Sequence, residues 1–524
     1  MKGSRLLSRA ARRAGIGAIA LTSLAATAGC TVGPDFKRPD KPTVAGYTPE
    51  NLVPQTASAP VPDGGAAQTF QPSEDIPGQW WGLFRSNELN ALITQALKAN
   101  PDVDAAQASL RQANETLYAT QGSLFPTFTG NGSANNQRYS GAAQGSQGTT
   151  AVFGVTSASL NVSYVPDLWG GTRRQVEASA AAAEYQRWQL EATYLTLTSN
   201  VVVTAINMAS LRAQIAATEA IIKLETDALN LVQTQFNLGG AARTDVLQQQ
   251  ATLTQTQATL PPLQKQLAQQ RNALMRLLGL PPTDNAGQGL ELASLKLPEQ
   301  LPLSLPSQLV EQRPDVRSFE AQLHQASANI GVAIANQLPQ ITLTGQLGQT
   351  SGGFANMFTP TTGIWTLGFS IAQTLLDGGK LEHTKLAAIA GFDKAAAQYR
   401  STVLSAFQDV ANALRALQSD ADTLAATVAA EQVAAQSLEL SRQQYQLGAT
   451  TYLQLLNAQQ SYQTALLNRV QAQATRYSDT SALFQALGGG WWNRQDVDPK
   501  SKGQPGGILN IPPVQEIKLP RAGH

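Results

Sequence analysis

Hydrophobic and polar residues follow two rhythms along this chain, and each occurs twice. In the first, Ala158, Leu160, Val162 and Tyr164 alternate with Ser157, Ser159, Asn161 and Ser163. Trp365, Leu367, Phe369 and Ile371 alternate with Thr366, Gly368, Ser370 and Ala372, and Ile341, Leu343 and Leu347 with Gln340, Thr342, Thr344 and Gln346. A period of two with one apolar face predicts strands lying between two different environments. In the second rhythm, Val403, Phe407, Val410, Leu414, Leu417, Ala421, Leu424 and Val428 fall at alternating steps of four and three, a heptad seam. A weaker seam runs through Leu195, Val202, Ile206, Ala209, Ala213, Ala216 and Ala220. The seams belong to very long helices, predicted from about Thr172 to Phe236 and from Lys380 to Tyr445, each on the order of 100 Å.

The pattern repeats because the chain does. Asn100-Pro101-Asp102-Val103 returns as Arg313-Pro314-Asp315-Val316, Leu168-Trp169-Gly170-Gly171 as Leu376-Asp377-Gly378-Gly379, and Phe236-Asn237-Leu238-Gly239 as Tyr445-Gln446-Leu447-Gly448. The first copy carries about five extra residues near Ser140 to Thr150. Each copy reads as a helix opened by proline, a strand pair, a long helix and a shorter return helix, Thr244 to Leu278 and Thr451 to Leu487. Pro261-Pro262 is expected to interrupt the first return helix and kink it.

At the amino end, Lys2, Arg5, Arg9, Arg12 and Arg13 precede a short apolar stretch from Ala14 to Ala28, the design of a secretory signal. No later segment reaches 18 uninterrupted apolar residues. Thr27-Ala28-Gly29-Cys30 resembles a bacterial lipoprotein processing site, which would make Cys30 the lipidated amino terminus; ordinary secretion with a leftover thiol is the alternative. Thr31 after the Cys favours the outer membrane. The expected organisation is a signal 1–29, an extended strap 30–79, and a first repeat 80–280 with strands at about 125–166 and a hairpin 172–278. A Pro-rich linker 281–306, a second repeat 307–490 with strands at about 339–375 and a hairpin 380–487, and a tail 491–524 follow.

Composition narrows the function. Only 14% of residues are charged, and the formal net charge is +1. Losing the signal removes five cations and no anions, leaving 32 basic against 36 acidic residues. Such a chain lacks the basic surface of a nucleic-acid binder. One Cys and three His exclude a disulfide framework and disfavour a metal centre. His324 and His383 read as isolated surface or packing residues. Gly378-Gly379-Lys380 lacks the earlier glycine and the following hydroxyl of a phosphate loop, and no catalytic constellation or cofactor motif appears. Trp80-Trp81 and Trp491-Trp492 read as packing anchors.

Four amphipathic strands without a spanning helix cannot close a barrel in lipid, where every backbone group needs a partner and at least eight strands are required. Two chains would supply eight strands and three would supply twelve; a soluble sheet resting on helices is the alternative. Several segments carry a specific resemblance: Cys30-Thr31-Val32-Gly33-Pro34-Asp35-Phe36 with Arg38-Pro39, Trp80-Trp81-Gly82-Leu83-Phe84, and Arg313-Pro314-Asp315-Val316. Ile330-Gly331-Val332-Ala333-Ile334-Ala335, Leu338-Pro339-Gln340-Ile341 and Ala486-Leu487-Gly488-Gly489-Gly490-Trp491 extend it. Together they resemble the outer-membrane factors of tripartite efflux systems, in the lipoprotein branch, across the chain up to Trp491.

That resemblance implies a mainly α fold with a transmembrane β part: a homotrimer whose twelve-stranded barrel in outer-membrane lipid continues into a periplasmic α-helical barrel. It implies docking on a periplasmic adaptor coupled to an inner-membrane efflux transporter, passive conduction of drugs or other small toxic compounds, no enzymatic activity, and no cofactor or metal. The adaptor-facing tips would be Leu238-Gly239 and Leu447-Gly448. Tyr452 to Gln459 resembles the gate segment, giving an apolar ring at Leu453 and a polar ring at Asn457, with Thr244, Asp245 and Gln248 opposite them in the first copy. Asn457 stands where family members often have an acid. Asp245 has a second reading, as a first-turn acid favouring the helix dipole. The rivals are a periplasmic adaptor-type lipoprotein, which would show one hairpin flanked by compact β domains, a lipid-anchored coiled-coil envelope protein, and an envelope enzyme.

Overall fold

The structure, a computed structural model, describes residues 31–494 apart from 45, 51–52, 73, 141–149 and 288. Cys30, the expected signal 1–29 and residues 495–524 lie outside the described residues. Helices α1 (Asn87–Ala99) and α2 (Pro101–Gly122) precede strands β2 (Thr127–Ser140) and β3 (Thr150–Tyr164), a short strand β1 (Thr69–Pro72) having come earlier. Helix α3 (Gly171–Asn237) then runs to a tight turn and α4 (Arg243–Leu277) returns. After β4 (Gln300–Leu303), the order is repeated by α5 (Pro306–Gln312), α6 (Pro314–Ala335), β5 (Gln340–Ser351), β6 (Gly363–Ala372), α7 (Lys380–Gln446) and α8 (Tyr452–Ala486). Both long helices have 67 residues and both return helices 35.

The repeated Gly and Leu-Gly landmarks are helix ends. Gly170 and Gly379 stand at φ of 75° and 89° just before α3 and α7, a conformation that L side chains resist. Neither glycine has a side chain to cap with, so an upstream aspartate does it. Asp167 accepts from the N–H groups of Thr172 and Arg173 at 3.0 and 2.9 Å, and Asp377 from Gly379 and Leu381 at 2.9 and 2.7 Å. These main-chain bonds hold the Asp377 carboxyl below its usual range. At the far ends Gly240 N donates to Gln235 O and Ala449 N to Gln444 O, both at 2.8 Å, closing a Schellman turn on each long helix.

Strands β2, β3, β5 and β6 form one antiparallel sheet in that order. The register places Phe128 opposite Val162, Leu160 opposite Leu347, Leu343 opposite Phe369 and Ile341 opposite Ile371. Directly paired residues share a face, so over most of the sheet one face is apolar and the other carries Thr, Ser, Asn and Gln; Asn136, Arg138 and Gln349 interrupt the apolar face, and Phe153, Val155 and Ile364 the polar one. The apolar face is uncovered: Trp365 is 78% and Leu367 81% exposed.

The main core lies midway along the shaft. Trp80, Phe84, Tyr477 and Phe484 gather there with Val201, Val202, Ile206, Val410, Leu414 and Leu417, and Trp80 stacks on Phe484 at 5.4 Å. Helix α3 is long and apolar enough to cross a membrane by composition, yet 56% of that window is buried inside the chain. The heptad seam of α7 is the buried stripe from Val410 to Val428. In α3 the seam fails below Ala209: Ala216 and Ala220 are exposed, and burial passes to Leu211, Thr218, Ile221 and Glu225.

Two other expectations are corrected, and two details are added. Pro261 and Pro262 do not interrupt the return helix, which is continuous from Arg243 to Leu277; Thr259 hydroxyl, just before them, bonds to the Thr256 oxygen inside the same turn. Within the extended strap, β1 pairs in parallel with β4 of the linker. Trp491, assigned to the tail, belongs to the body: it is buried edge-on to Trp188 at 4.8 Å. His324 packs within the fold, its Nε2 2.9 Å from Glu177 and its ring stacked on Phe36 at 4.3 Å.

Candidate functional site

The strap explains the segment that follows Cys30. Val32 N donates to Trp169 O at 3.0 Å, at the junction where β3 gives way to α3. The buried Arg174 donates to Val32 O at 3.2 Å, to Asp35 at 2.6 Å and to Glu177 at 2.7 Å. The bonds from His324 and Arg174 hold the Glu177 carboxyl below its ordinary range against the opposing effect of burial. Gly33, at φ 89°, lies so close to Gly331 that a Cβ would sit 2.5 Å from the Gly331 Cα. Residues 31–36 are therefore fixed at the base of the sheet.

Most of the sheet alternates between a water-compatible and an oil-compatible face, and among the described residues the outer edges of β2 and β6 pair with no further strand. Uncovered edges and an uncovered apolar face are both satisfied when copies complete a closed barrel in lipid.

At the opposite end of the helices lie the two turns. Leu238 and Leu447 are 82% and 83% exposed at their apices, with Gly239 at φ 78° and Gly448 at φ 72°. Leu453 and Asn457 are exposed on one face of the first turns of α8, four residues apart. Thr244 and Gln248 are exposed in the same spacing on α4. Asp245 is half-buried, and its Oδ2 accepts from Ala242 N at 3.2 Å. That carboxylate bonds back to the start of its own helix; Ala242 has no side-chain oxygen to complete a reciprocal box.

Behind these exposed positions is a cluster that sequence reasoning missed. Val232, Val246, Tyr452 and Leu455 are buried together, with Phe236, Leu438 and Tyr445 against them. Tyr445 donates to Gln235 at 2.7 Å and packs edge-on to Tyr452 at 5.5 Å. Tyr452 donates to Gln249, a fully buried amide. Burial pushes the hydroxyls of both tyrosines and the carboxyl of Glu225 above their ordinary ranges. The available signal was Tyr445 and Tyr452 flanking one tight turn. Among the described residues no cluster of His, Cys, Asp and Glu could hold a metal ion.

An open amphipathic sheet at one end of a helical shaft, with tight turns carrying exposed leucines at the other, defines a subunit of a membrane channel that closes only as an oligomer. The chain belongs to the outer membrane efflux protein family, whose profile matches residues 92–280 and 305–489. It is 30% identical over 448 residues to the pyoverdine export outer membrane protein OpmQ of Pseudomonas putida, covering 84% of this chain and 94% of that one. It is 29% identical over 480 residues to the cation efflux system protein CusC of Escherichia coli, covering 89% and 97%. The solved outer-membrane channel OprN superposes with a TM-score of 0.78 at 28% identity, over 88% of this chain and all of that one. The protein is thus an outer-membrane channel subunit of a tripartite efflux system of a Gram-negative bacterium. It acts as a trimer with a large periplasmic helical part, together with a periplasmic adaptor and an inner-membrane transporter.

Proposed function

We propose that the chain conducts passively and makes no chemical bond, its periplasmic aperture being set by Leu453 and Asn457 with Thr244 and Gln248 facing them. Asp245 serves that aperture indirectly, by fixing the start of α4. The exposed turns Leu238-Gly239 and Leu447-Gly448 take the adaptor, and Cys30 carries the acyl chains. The repeat-related segments 80–280 and 307–490 act as two equivalent staves of one wall. The observation that carries this reading is the pair of leucines, over four-fifths exposed, at the ends of helices about 100 Å long. Large apolar side chains left uncovered at a tip are partner surface. The fixing of residues 31–36 at the base of the sheet supports the anchor, because Thr31, the first described residue after Cys30, lies against Gly170 where β3 gives way to α3, and acyl chains contribute about 0.8 kcal/mol per buried methylene. One relative exports pyoverdine and another cations by name; the cargo of this chain is set by the pump it serves.

Oxidative cross-linking of the Leu453→Cys variant tests the gate. Disulfide-linked protomers with lowered conductance of the purified trimer are expected, and a free thiol at 453 under oxidation would refute the assignment. Metabolic labelling with palmitate tests the anchor: label should vanish in Cys30→Ser, and unchanged label would exclude Cys30.

A further inference from the structure

The two hairpins are joined above the tip by a buried polar chain. Gln249, the residue after Gln248, is fully buried on α4. Its Oε1 accepts from the Tyr452 hydroxyl, and its Nε2 donates to the main-chain oxygen of Glu225 at 2.8 Å. The Glu225 Oε1 accepts in turn from the Thr256 hydroxyl at 3.0 Å. One amide therefore connects α8, α4 and α3.

The two return helices begin differently. Helix α4 is capped by Asp245, whereas Thr451 gives α8 no side-chain cap. What holds the first turn of α8 in place is its first residue, Tyr452, through its ring in the buried cluster and its hydroxyl on Gln249. The next residue is Leu453. We propose that Gln249 is a positioning residue for the channel, holding the aperture-bearing first turn of α8 against the first hairpin by way of Tyr452. This rests on the reading of Leu453 and Asn457 as the aperture. The role requires an amide: a leucine offers neither group, and a carboxylate accepts from Tyr452 but cannot donate to Glu225, while adding an acid beside an already buried one. Both partners of Gln249 are dry, so neither bond is replaced by water when it breaks.

The test is single-channel conductance of the purified trimer without its adaptor, in planar bilayers, for the native protein, Gln249→Leu, Tyr452→Phe and the double variant. Each single variant should raise the open fraction about five- to tenfold, the population shift that one lost buried hydrogen bond allows. The double variant should match Gln249→Leu alone, because the one bond that Tyr452→Phe removes is already lost with Gln249. Unchanged open fraction in both singles, with the trimer intact on gels, would overturn the proposal, and so would additive effects. Tyr452→Phe keeps the ring, so it decides the matter if Gln249→Leu fails to assemble. Leu453→Cys cross-linking keeps the two readings apart. A cross-linking aperture with silent Gln249→Leu and Tyr452→Phe variants sinks the latch alone, and a leaky Gln249→Leu channel without cross-linking at 453 sinks the aperture assignment alone.

Discussion

Replacing Arg476 by leucine should detach the strap from the shaft. The Arg476 guanidinium is fully buried. It donates to Gly64 O at 2.7 Å, to Ala66 O at 2.8 Å, to the Thr56 hydroxyl at 3.0 Å and to Ala57 O at 3.4 Å. Gln473 and Tyr477, on the same face of α8, donate to Asp63 O at 2.7 Å and Leu295 O at 3.0 Å, so the strap and the linker are clamped together. Burial lowers the Arg476 pKa, an effect that the charge of Asp420 partly offsets. Hydrogen bonds from a charged donor contribute about 1.5–3 kcal/mol each before the desolvation of the ion is charged against them. The variant leaves carbonyls of one tight loop without donors, so a net loss of about 3–5 kcal/mol is expected. Thermal dissociation of the detergent-purified trimer measures it, and limited proteolysis should reveal new cleavage between residues 56 and 66. Arg476→Lys should recover only part, since an ammonium cannot address acceptors spread along the loop with a planar fork. A leucine variant within about 1 kcal/mol of the native protein would refute the clamp, showing that desolvation cancels the bonds as in buried ion pairs that tolerate apolar replacement.

Other outcomes follow from the same geometry. Leu367→Lys, on the apolar face of β6, should impair membrane assembly by about 2–4 kcal/mol, whereas Thr366→Lys on the opposite face should leave the yield of folded trimer nearly unchanged; equal effects would refute the assignment of faces. Asp420 is raised to about 7, first by burial and then by its hydrogen bond to Asp479. The folded state therefore holds a proton that the unfolded chain releases above the ordinary carboxylate range. The stability tied to that proton is full in acid, declines as pH rises, and is gone above pH 7, by no more than about 2 kcal/mol after solvent screening. Melting across pH 4 to 9 should show this slope in the native protein and lose it in Asp420→Asn. Gly33→Ala combines a left-handed backbone with a clash against Gly331, and should weaken docking of the strap by about 2–4 kcal/mol; resistance of residues 31–38 to protease at native levels would count against it.

Much of the architecture was legible because it is periodic. The stripe from Val410 to Val428 is uniform enough to be read directly, and the strands alternate over most of their length. The seam of α3 misled because its small alanines record close approach without saying to what, and the buried positions there include Thr218 and Glu225, which no hydrophobic pattern selects. Tyr445, Tyr452 and Gln249 were missed for a related reason: a glutamine in a Gln-rich helix is indistinguishable from its solvated neighbours until a partner is placed against it.

What the sequence determined by itself is the material of the protein: two copies of a strand pair and a long hairpin, lipid- and water-compatible faces on the strands, and turns where Leu-Gly must end a helix. Periodicity, capping and turn chemistry are local, so neighbouring residues suffice to state them. Only the tertiary structure decided which distant residues meet: Arg174 with Asp35, His324 with Phe36, Arg476 with the loop at Gly64, and Gln249 with Tyr452. Those pairs lie up to 412 residues apart. They depend on how two hairpins and a strap pack, which no local rule contains, because a polar side chain carries the same sequence signal whether water or a buried partner satisfies it.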